Sequence, residues 1–454
     1  MRKKEFIHQD FIPRDPLDQP LWELTEEKNL IHSKEYEVSC DGISCDVYGN
    51  KFFFFALITI EDIQRSHTVD ITIHRGFQKL TFRPLKNENE IDINGTKVCI
   101  TFDHPGRIVI EPDDELTDAL YLFVSQRITK PDNVTYFFSK GHVYNIGKLM
   151  LNSGDTVYIE DGAIVSGTFT ADLADNISIL GNGIVYGGNW HNEEENGGNQ
   201  LVLVTRCHHL HIEGVTFLDS GSWHIVPIEC EDVTFQNINI LGKVITGDGL
   251  DILGCTNVIV ENSFIRANDD CIAIKAAAYQ GHHGCSNVTH IIVRNCLFWN
   301  AEFGNTLEIG YETRCEDISD IHFENCIVLH CEYEGNQSGG VLTIHDADRA
   351  YVHDIYYDNI IVEDAEEKLI DIKVLDSKYS TDKVRGKVSN IYFRNINVMG
   401  EKFPVSIIRG YEMKDQLSRP SRIFFENVTI LGSKVTDFRS MHMVKELADD
   451  LHFS

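Results

Sequence analysis

Ile291-Ile292-Val293-Arg294-Asn295-Cys296-Leu297 decides the fold, because the same phrase returns along the chain. It recurs as Ile321-His322-Phe323-Glu324-Asn325-Cys326-Ile327, Ile355-Tyr356-Tyr357-Asp358-Asn359-Ile360-Ile361 and Ile423-Phe424-Phe425-Glu426-Asn427-Val428. Each copy alternates apolar residues, the pattern of a strand with one buried face, and then meets a single Asn. The markers are Gly214, Asn237, Asn262, Asn295, Asn325, Asn359, Asn395 and Asn427, spaced 23 to 36 residues apart. A period of that size means stacked repeats. Asn suits a corner that needs the left-handed conformation, and stacked Asn side chains can hydrogen-bond to one another. The expectation is an all-β chain whose main body is a right-handed parallel β-helix. Unequal spacing predicts loops of unequal length, where function usually sits.

A second phrase in each coil carries the candidate chemistry. Thr246-Gly247-Asp248-Gly249-Leu250-Asp251 precedes one strand and Asn268-Asp269-Asp270-Cys271-Ile272 the next. Asp248 lies 21 and 22 residues before Asp269 and Asp270. One turn of a coil between them stacks the clusters at about 4.8 Å. Like charges that close cannot all ionise freely, so at least one carboxyl becomes a proton donor while others stay basic. Glycoside hydrolysis needs that division of labour. The apolar pairs Leu250/Ile252, Ile272/Ile274, Leu307/Ile309, Leu342/Ile344 and Ile370/Ile372 align as inward positions. Strand alternation then points Asp251, Ala273, Glu308, Thr343 and Asp371 outward, beside a column of Leu253, Lys275, Gly310, His345 and Lys373.

Ahead of the repeats, residues 36–135 alternate strand phrases with turns, including the hairpin signal Asn94-Gly95, and predict a small β-sandwich. Residues 1–35 form an arm without an assigned role, and 136–454 form the β-helix domain. Net charge is −30, from 70 acidic and 40 basic residues, which argues against nucleic acid and anionic membranes as partners. Met1-Arg2-Lys3-Lys4 opens like a signal peptide, but the required apolar stretch does not follow, so a cytoplasmic location is expected. The 12 cysteines are scattered, several within strand phrases, and read as buried free thiols. Cys40 and Cys45 lack the second pair of a zinc site, and no metal or other cofactor is expected.

These motifs resemble glycoside hydrolase family 28, the polygalacturonases, and their clan relative family 49, the dextranases and isopullulanases. Gly154-Asp155-Thr156-Val157-Tyr158-Ile159-Glu160-Asp161-Gly162 is similar to the clan's first coil, and Gly181-Asn182-Gly183-Ile184-Val185-Tyr186-Gly187 to its second. The resemblance covers roughly residues 136–435, and a sandwich ahead of the helix is reminiscent of family 49. It implies that Asp269 is the general acid and that Asp248 and Asp270 hold and activate water. It also implies inversion, with acid and base about 6.5–9.5 Å apart. Of the family's four motifs, Asn-Thr-Asp-Gly is met in part by Thr246-Gly247-Asp248-Gly249 and Asp-Asp by Asp269-Asp270. Gly-His-Gly falls on Gly304-Asn305-Thr306, and Arg-Ile-Lys on Thr343-Ile344-His345.

Loss of that Arg and Lys, which the resemblance implies grip a uronate carboxylate, and the acidic Glu308 nearby point to a neutral sugar at the cleavage subsite. Asp251, Lys275, Asn305, Glu308, Tyr311 and His345 are candidate substrate contacts, and Trp190 and Trp223 are candidate stacking platforms. Each has a plainer reading as packing or a solvated face. A uronate-active hydrolase using Lys275 and Lys373 is the alternative. A non-catalytic glycan-binding β-helix or an assembly scaffold, and a homo-oligomer, are compatible with the same sequence.

Overall fold

The computed structural model describes residues 31–49, 52–187, 199–332, 339–413 and 415–454. These divide into two compact units. The first holds the described residues up to Asn145 together with Val157–Ser166 and Leu180–Ile184, and the second holds Ile146–Thr156, Gly167–Ile179 and Val185–Ser454.

The first unit is dominated by two sheets. One runs in the order Ile31–His32, Val47–Gly49, Phe54–Ile60, Leu120–Gln126, Gly106–Pro112, Leu80–Arg83, and the other Ile43–Cys45, Tyr36–Cys40, His67–Ile73, Lys97–Phe102, Glu90–Asn94. Their inward residues, among them Val69, Ile71, Ile100, Ile110 and Leu122, form one core. The Asn94-Gly95 hairpin forms as expected, with Asn94 opposite Lys97 and Gly95 at φ +63°. Cys40, Asp41 and His67 meet at one edge, but Asp41 is taken up by Arg65, by His67 and by the Thr68 backbone N–H.

The second unit is the right-handed parallel β-helix. One stack of strands, Ile225–Ile228, Leu250–Leu253, Ile272–Ala276, Leu307–Thr313, Leu342–Asp346, Lys368–Val374 and Val405–Arg409, carries the acid clusters at its N-terminal edge. Its register is the one the apolar pairs require: Leu250 pairs with Ile272, Ile272 with Leu307, Leu307 with Leu342 and Leu342 with Ile370.

All eight marker residues have positive φ, from +50° at Asn262 to +80° at Gly214. Asn tolerates that conformation at little cost, so each coil turns the same corner at the same place. The Asn side chains bond along the stack: Asn359 Nδ2 donates to Asn325 Oδ1 (2.7 Å) and Asn427 Nδ2 to Asn395 Oδ1 (2.8 Å). Inside, Phe323, Tyr357, Phe393, Phe425 and Phe453 stack ring on ring at 4.7–5.2 Å between centroids. Each ring contributes roughly 1.5–3 kcal/mol of burial and about 0.5–1.5 kcal/mol of pairing. Cys271, Cys296 and Cys326 are buried free thiols, as expected. No helix among the described residues is long and apolar enough to cross a membrane.

Candidate active site

The N-terminal edge of the strand stack opens into a groove of about 1300 Å³. Asp248, Asp269, Asp270, Lys275, Asn305, Tyr311 and Trp223 all line it. Trp190 lies outside the described residues.

Backbone bonds fix the acids before their side chains are considered. Asp248 sits in a tight loop where the Gly247 N–H donates to Val244 O (3.0 Å) and the Gly249 N–H to Asp270 O (2.8 Å). From the preceding coil, His224 donates to the Asp248 carbonyl twice, through its backbone N–H (2.9 Å) and through Nδ1 (2.8 Å). That carbonyl only accepts, so Nδ1 carries the ring proton. Burial lowers the His224 pKa to about 4 and keeps the ring neutral. The Asp269-Asp270 turn is held by Asn300, whose Nδ2 donates to Asp269 O and Phe303 O, both at 2.7 Å. Gly304 closes over the pair at φ +68°, where an added Cβ would collide with the Asp269 carboxylate. Asp270 Oδ1 accepts from the Asn305 backbone N–H (2.8 Å) and side-chain Nδ2 (3.0 Å). Asn305 is therefore a bracket for Asp270.

The expected crowding of carboxylates has its electrostatic result. Burial, then the charges of Asp248 and Asp269, raise the Asp270 pKa well above the ordinary carboxylate range. Asp251 is raised likewise, by burial and then by Asp248. Lys275 is the counter-ion: Nζ lies 2.9 Å from Asp248 Oδ2, 2.8 Å from Asp251 Oδ1 and 3.9 Å from Asp270 Oδ2. It also sits 4.1 Å from the centroid of the Trp223 ring, which is stacked at 4.2 Å on Tyr279. Tyr279 in turn accepts from Gln200 (2.6 Å).

Three expected substrate contacts are corrected. Asp251, Glu308 and His345 are fully buried behind the groove wall rather than turned toward substrate. Their strand alternation was read in the right register, but on that face they are covered, His345 by the Tyr311 ring, while Lys275 and Lys373 of the same face reach the groove. His345 Nδ1 lies 2.9 Å and 3.0 Å from the two Glu308 oxygens, and Nε2 lies 3.4 Å from Asp371 Oδ2. Thr343 donates to Glu308 as well. Burial disfavours the imidazolium, but the Glu308 charge and the Asp371 contact overcome it and raise the His345 pKa to about 9. Burial would raise Asp371, yet its hydrogen bond to His345 and the charges of His345, Lys373 and Lys368 hold it below the usual range. Tyr311 lies flat on His345, 4.3 Å between centroids, and presents its other side to the groove.

The same buried network aims cations at the groove. Lys368 Nζ and Lys373 Nζ lie 2.9 and 2.7 Å from Asp371 Oδ2, and both side chains line the groove with Lys378 and Arg409. Lys378 and Tyr379 ride on a loop that Asp348 pins by accepting from the backbone N–H groups of Thr381 and Asp382, each at 2.7 Å. Sequence reasoning named Lys373 as an alternative contact and missed His224, Asn300, Lys368, Lys378 and Arg409. Arg409, which pairs with Lys373 one coil on, was legible as an outward cation from the register, whereas alternation from Ile370 reads Lys368 as inward and the register shift between Lys368 and Ile370 leaves no sequence signal.

Residues 165–382 match the family model for Glycosyl hydrolases family 28. A probable polygalacturonase of Arabidopsis thaliana is 28% identical over 180 residues, 39% of this chain and 36% of that protein. Probable endopolygalacturonase D of Neosartorya fischeri is 25% identical over 299 residues, 60% of this chain and 57% of its own length. The chain thus spans between about a third and three fifths of these two curated relatives. Among solved structures, Dex49A from Penicillium minioluteum superposes with a TM-score of 0.69 at 15% identity, covering 93% of each chain. An exopolygalacturonase from Thermotoga maritima gives 0.51 at 16% identity over 70% of this chain and 83% of its own. At these identities the structural likeness is one of fold. The resemblance to family 28 read from the motifs is borne out over the central coils, and the β-helix that carries them has the fold of the Dex49A and exopolygalacturonase structures.

Proposed function

We propose that the chain is an inverting glycoside hydrolase acting on uronate-containing, pectic-type oligosaccharides. In this reading Asp269 protonates the glycosidic oxygen while a water, held by Asp248 and Asp270, attacks the anomeric carbon from the opposite face and gives up its proton to them. The leaving sugar departs with the Asp269 proton, and the new hemiacetal takes the water oxygen. No cofactor enters these steps. The observation that carries the reading is one groove with two ends. The acid cluster lies at one, and Lys373 and Arg409, which keep exposed surface, lie further along it. Cations that keep open surface in the groove are suited to bind a sugar carboxylate. The relatives described above as polygalacturonases support the same substrate class. The case for a neutral sugar rested on the loss of the family's Arg and Lys and on the acidic Glu308 nearby; Glu308 is buried, and Lys373 and Arg409 line the groove in place of the missing cations.

The test is product release from oligogalacturonate and from a panel of neutral α- and β-linked oligosaccharides, with wild type beside Asp269→Asn. Cleavage of oligogalacturonate with inverted product, reduced at least about 10³-fold in the variant, is expected. Cleavage of neutral substrates alone would overturn the uronate assignment. Equal rates in wild type and variant would overturn the role of Asp269. Binding without turnover across the panel would make the chain a glycan-binding β-helix.

A further inference from the structure

We propose that Lys275 is a positioning residue of the acid cluster and not a substrate ligand: by bridging Asp248 to the buried Asp251, it sets how negative charge is divided among the carboxylates. The inference rests on the reading above for its catalytic meaning and on geometry for its substance.

Lys275 lines the groove, yet its ammonium is used up. It is 5% exposed and makes two contacts below 3 Å, to Asp248 Oδ2 and Asp251 Oδ1. The Trp223 ring covers it on another side. A substrate carboxylate would have to displace a buried Asp to reach it, at the cost of an unpaired buried charge. The groups that face Lys275 come from four stretches of chain. They are Asp248 and Asp251 around the strand Leu250–Leu253, Asp270 ahead of its own strand, Glu312 on the strand Leu307–Thr313, and Trp223. Tyr279 stands behind Trp223 and senses the same charges. All the charged members except Lys275 are acidic.

One cation among these carboxylates cannot serve them equally. It lies 2.9 and 2.8 Å from Asp248 and Asp251 but 3.9 Å from Asp270. The ammonium therefore screens Asp248 and Asp251 more strongly than Asp270, whose carboxyl is raised by burial and by its acidic neighbours. Asp251 has no groove surface, so its effect on the reaction runs through its neighbours Asp248 and Lys275. It competes with Asp248 for the ammonium and thereby tunes it.

This competition predicts shifts of opposite sign. Removing the cation in Lys275→Met leaves the cluster holding protons to higher pH. Removing the competitor in Asp251→Asn gives Asp248 sole claim on the ammonium and lets the cluster ionise at lower pH. A merely structural role gives no such opposition.

Two readouts test it. One is the acidic limb of the kcat/KM profile on the substrate that the panel identifies. The other needs no turnover: the fluorescence titration of Trp223 between pH 3 and 8, taken as wild type minus Trp223→Phe and repeated in each variant background. We expect Lys275→Met to move the midpoint up by at least one pH unit and to lower kcat at least 100-fold. Asp251→Asn should move it down by at least half a unit, and Lys275→Arg should keep it within 0.3 unit. A midpoint unchanged in both Lys275→Met and Asp251→Asn overturns the proposal. So does a raised KM for an acidic substrate with the pH profile intact, which would make Lys275 a ligand. If Lys275→Met does not fold, the sign of the Asp251→Asn shift decides alone. A wild type that cleaves no sugar defeats the proposed function, while the Trp223 titration still decides this inference.

Discussion

Replacing His345 by Gln tests the buried network behind the groove. In the folded protein its pKa is raised from an ordinary 6.5 to about 9 by Glu308 and Asp371. At about 1.4 kcal/mol per pH unit, that linkage amounts to about 3 kcal/mol. The folded pKa is the higher one, so this stability is fully present below pH 6.5 and is lost as pH rises through 9. Gln fills much of the same space and can bond one carboxylate, but it carries no charge at any pH. Glu308 and Asp371 would then be buried without the cation between them, a loss of roughly 3–5 kcal/mol when one partner of a buried pair is removed. The variant should therefore be less stable than wild type by about 3 kcal/mol at pH 6, with the gap closing to roughly 1 kcal/mol near pH 9.5. Urea unfolding followed by circular dichroism, at half-unit steps between those limits, measures the gap directly. A gap below about 1 kcal/mol at pH 6, or one of constant size across the range, would refute the charged assignment of His345.

Two further substitutions probe the groove. Gly304→Ala places a methyl group against the Asp269 carboxylate and within 2.5 Å of the Asp270 backbone nitrogen, at a φ of +68°. It should lower kcat by about 100-fold with a loss of roughly 1–2 kcal/mol in stability, and an unchanged kcat would show that the turn is not held as described. Lys373→Met removes a cation from the far end of the groove and should raise KM for oligogalacturonate about tenfold at low salt while leaving neutral substrates unaffected. The same KM in variant and wild type would place the sugar carboxylate elsewhere.

Much of this architecture was legible because each corner is marked by a residue with a conformational reason to be there. Asn295, Asn325 and Asn359 advertise positive φ, and the apolar pairs from Leu250/Ile252 to Ile370/Ile372 fix the register between corners. Alternation says which side of a strand a residue leaves, but not what covers that side. That is why Asp251, Glu308 and His345 were expected to touch substrate and are instead fully buried. Loop paths depend on long-range contacts such as those of Asp348 with Thr381 and Asp382, which leave no periodic trace. The cations Lys368 and Arg409 went unread for a related reason. The Arg-Ile-Lys motif falls on Thr343-Ile344-His345, whereas the cations Lys373 and Arg409 lie one and two coils farther along the stack.

The Asn corner has a consequence for how such a chain can change over evolutionary time. Every coil turns it in the same left-handed conformation, and Asn359 and Asn427 bond to the equivalent residue one coil away, so the joint is self-similar from rung to rung. A duplicated or deleted coil meets the same corner on either side, and the ladder closes over it. Groove length is then a heritable quantity that can be counted in whole rungs. A lineage could lengthen or shorten the cationic end in steps of about 4.8 Å while the carboxylates several rungs away keep their geometry.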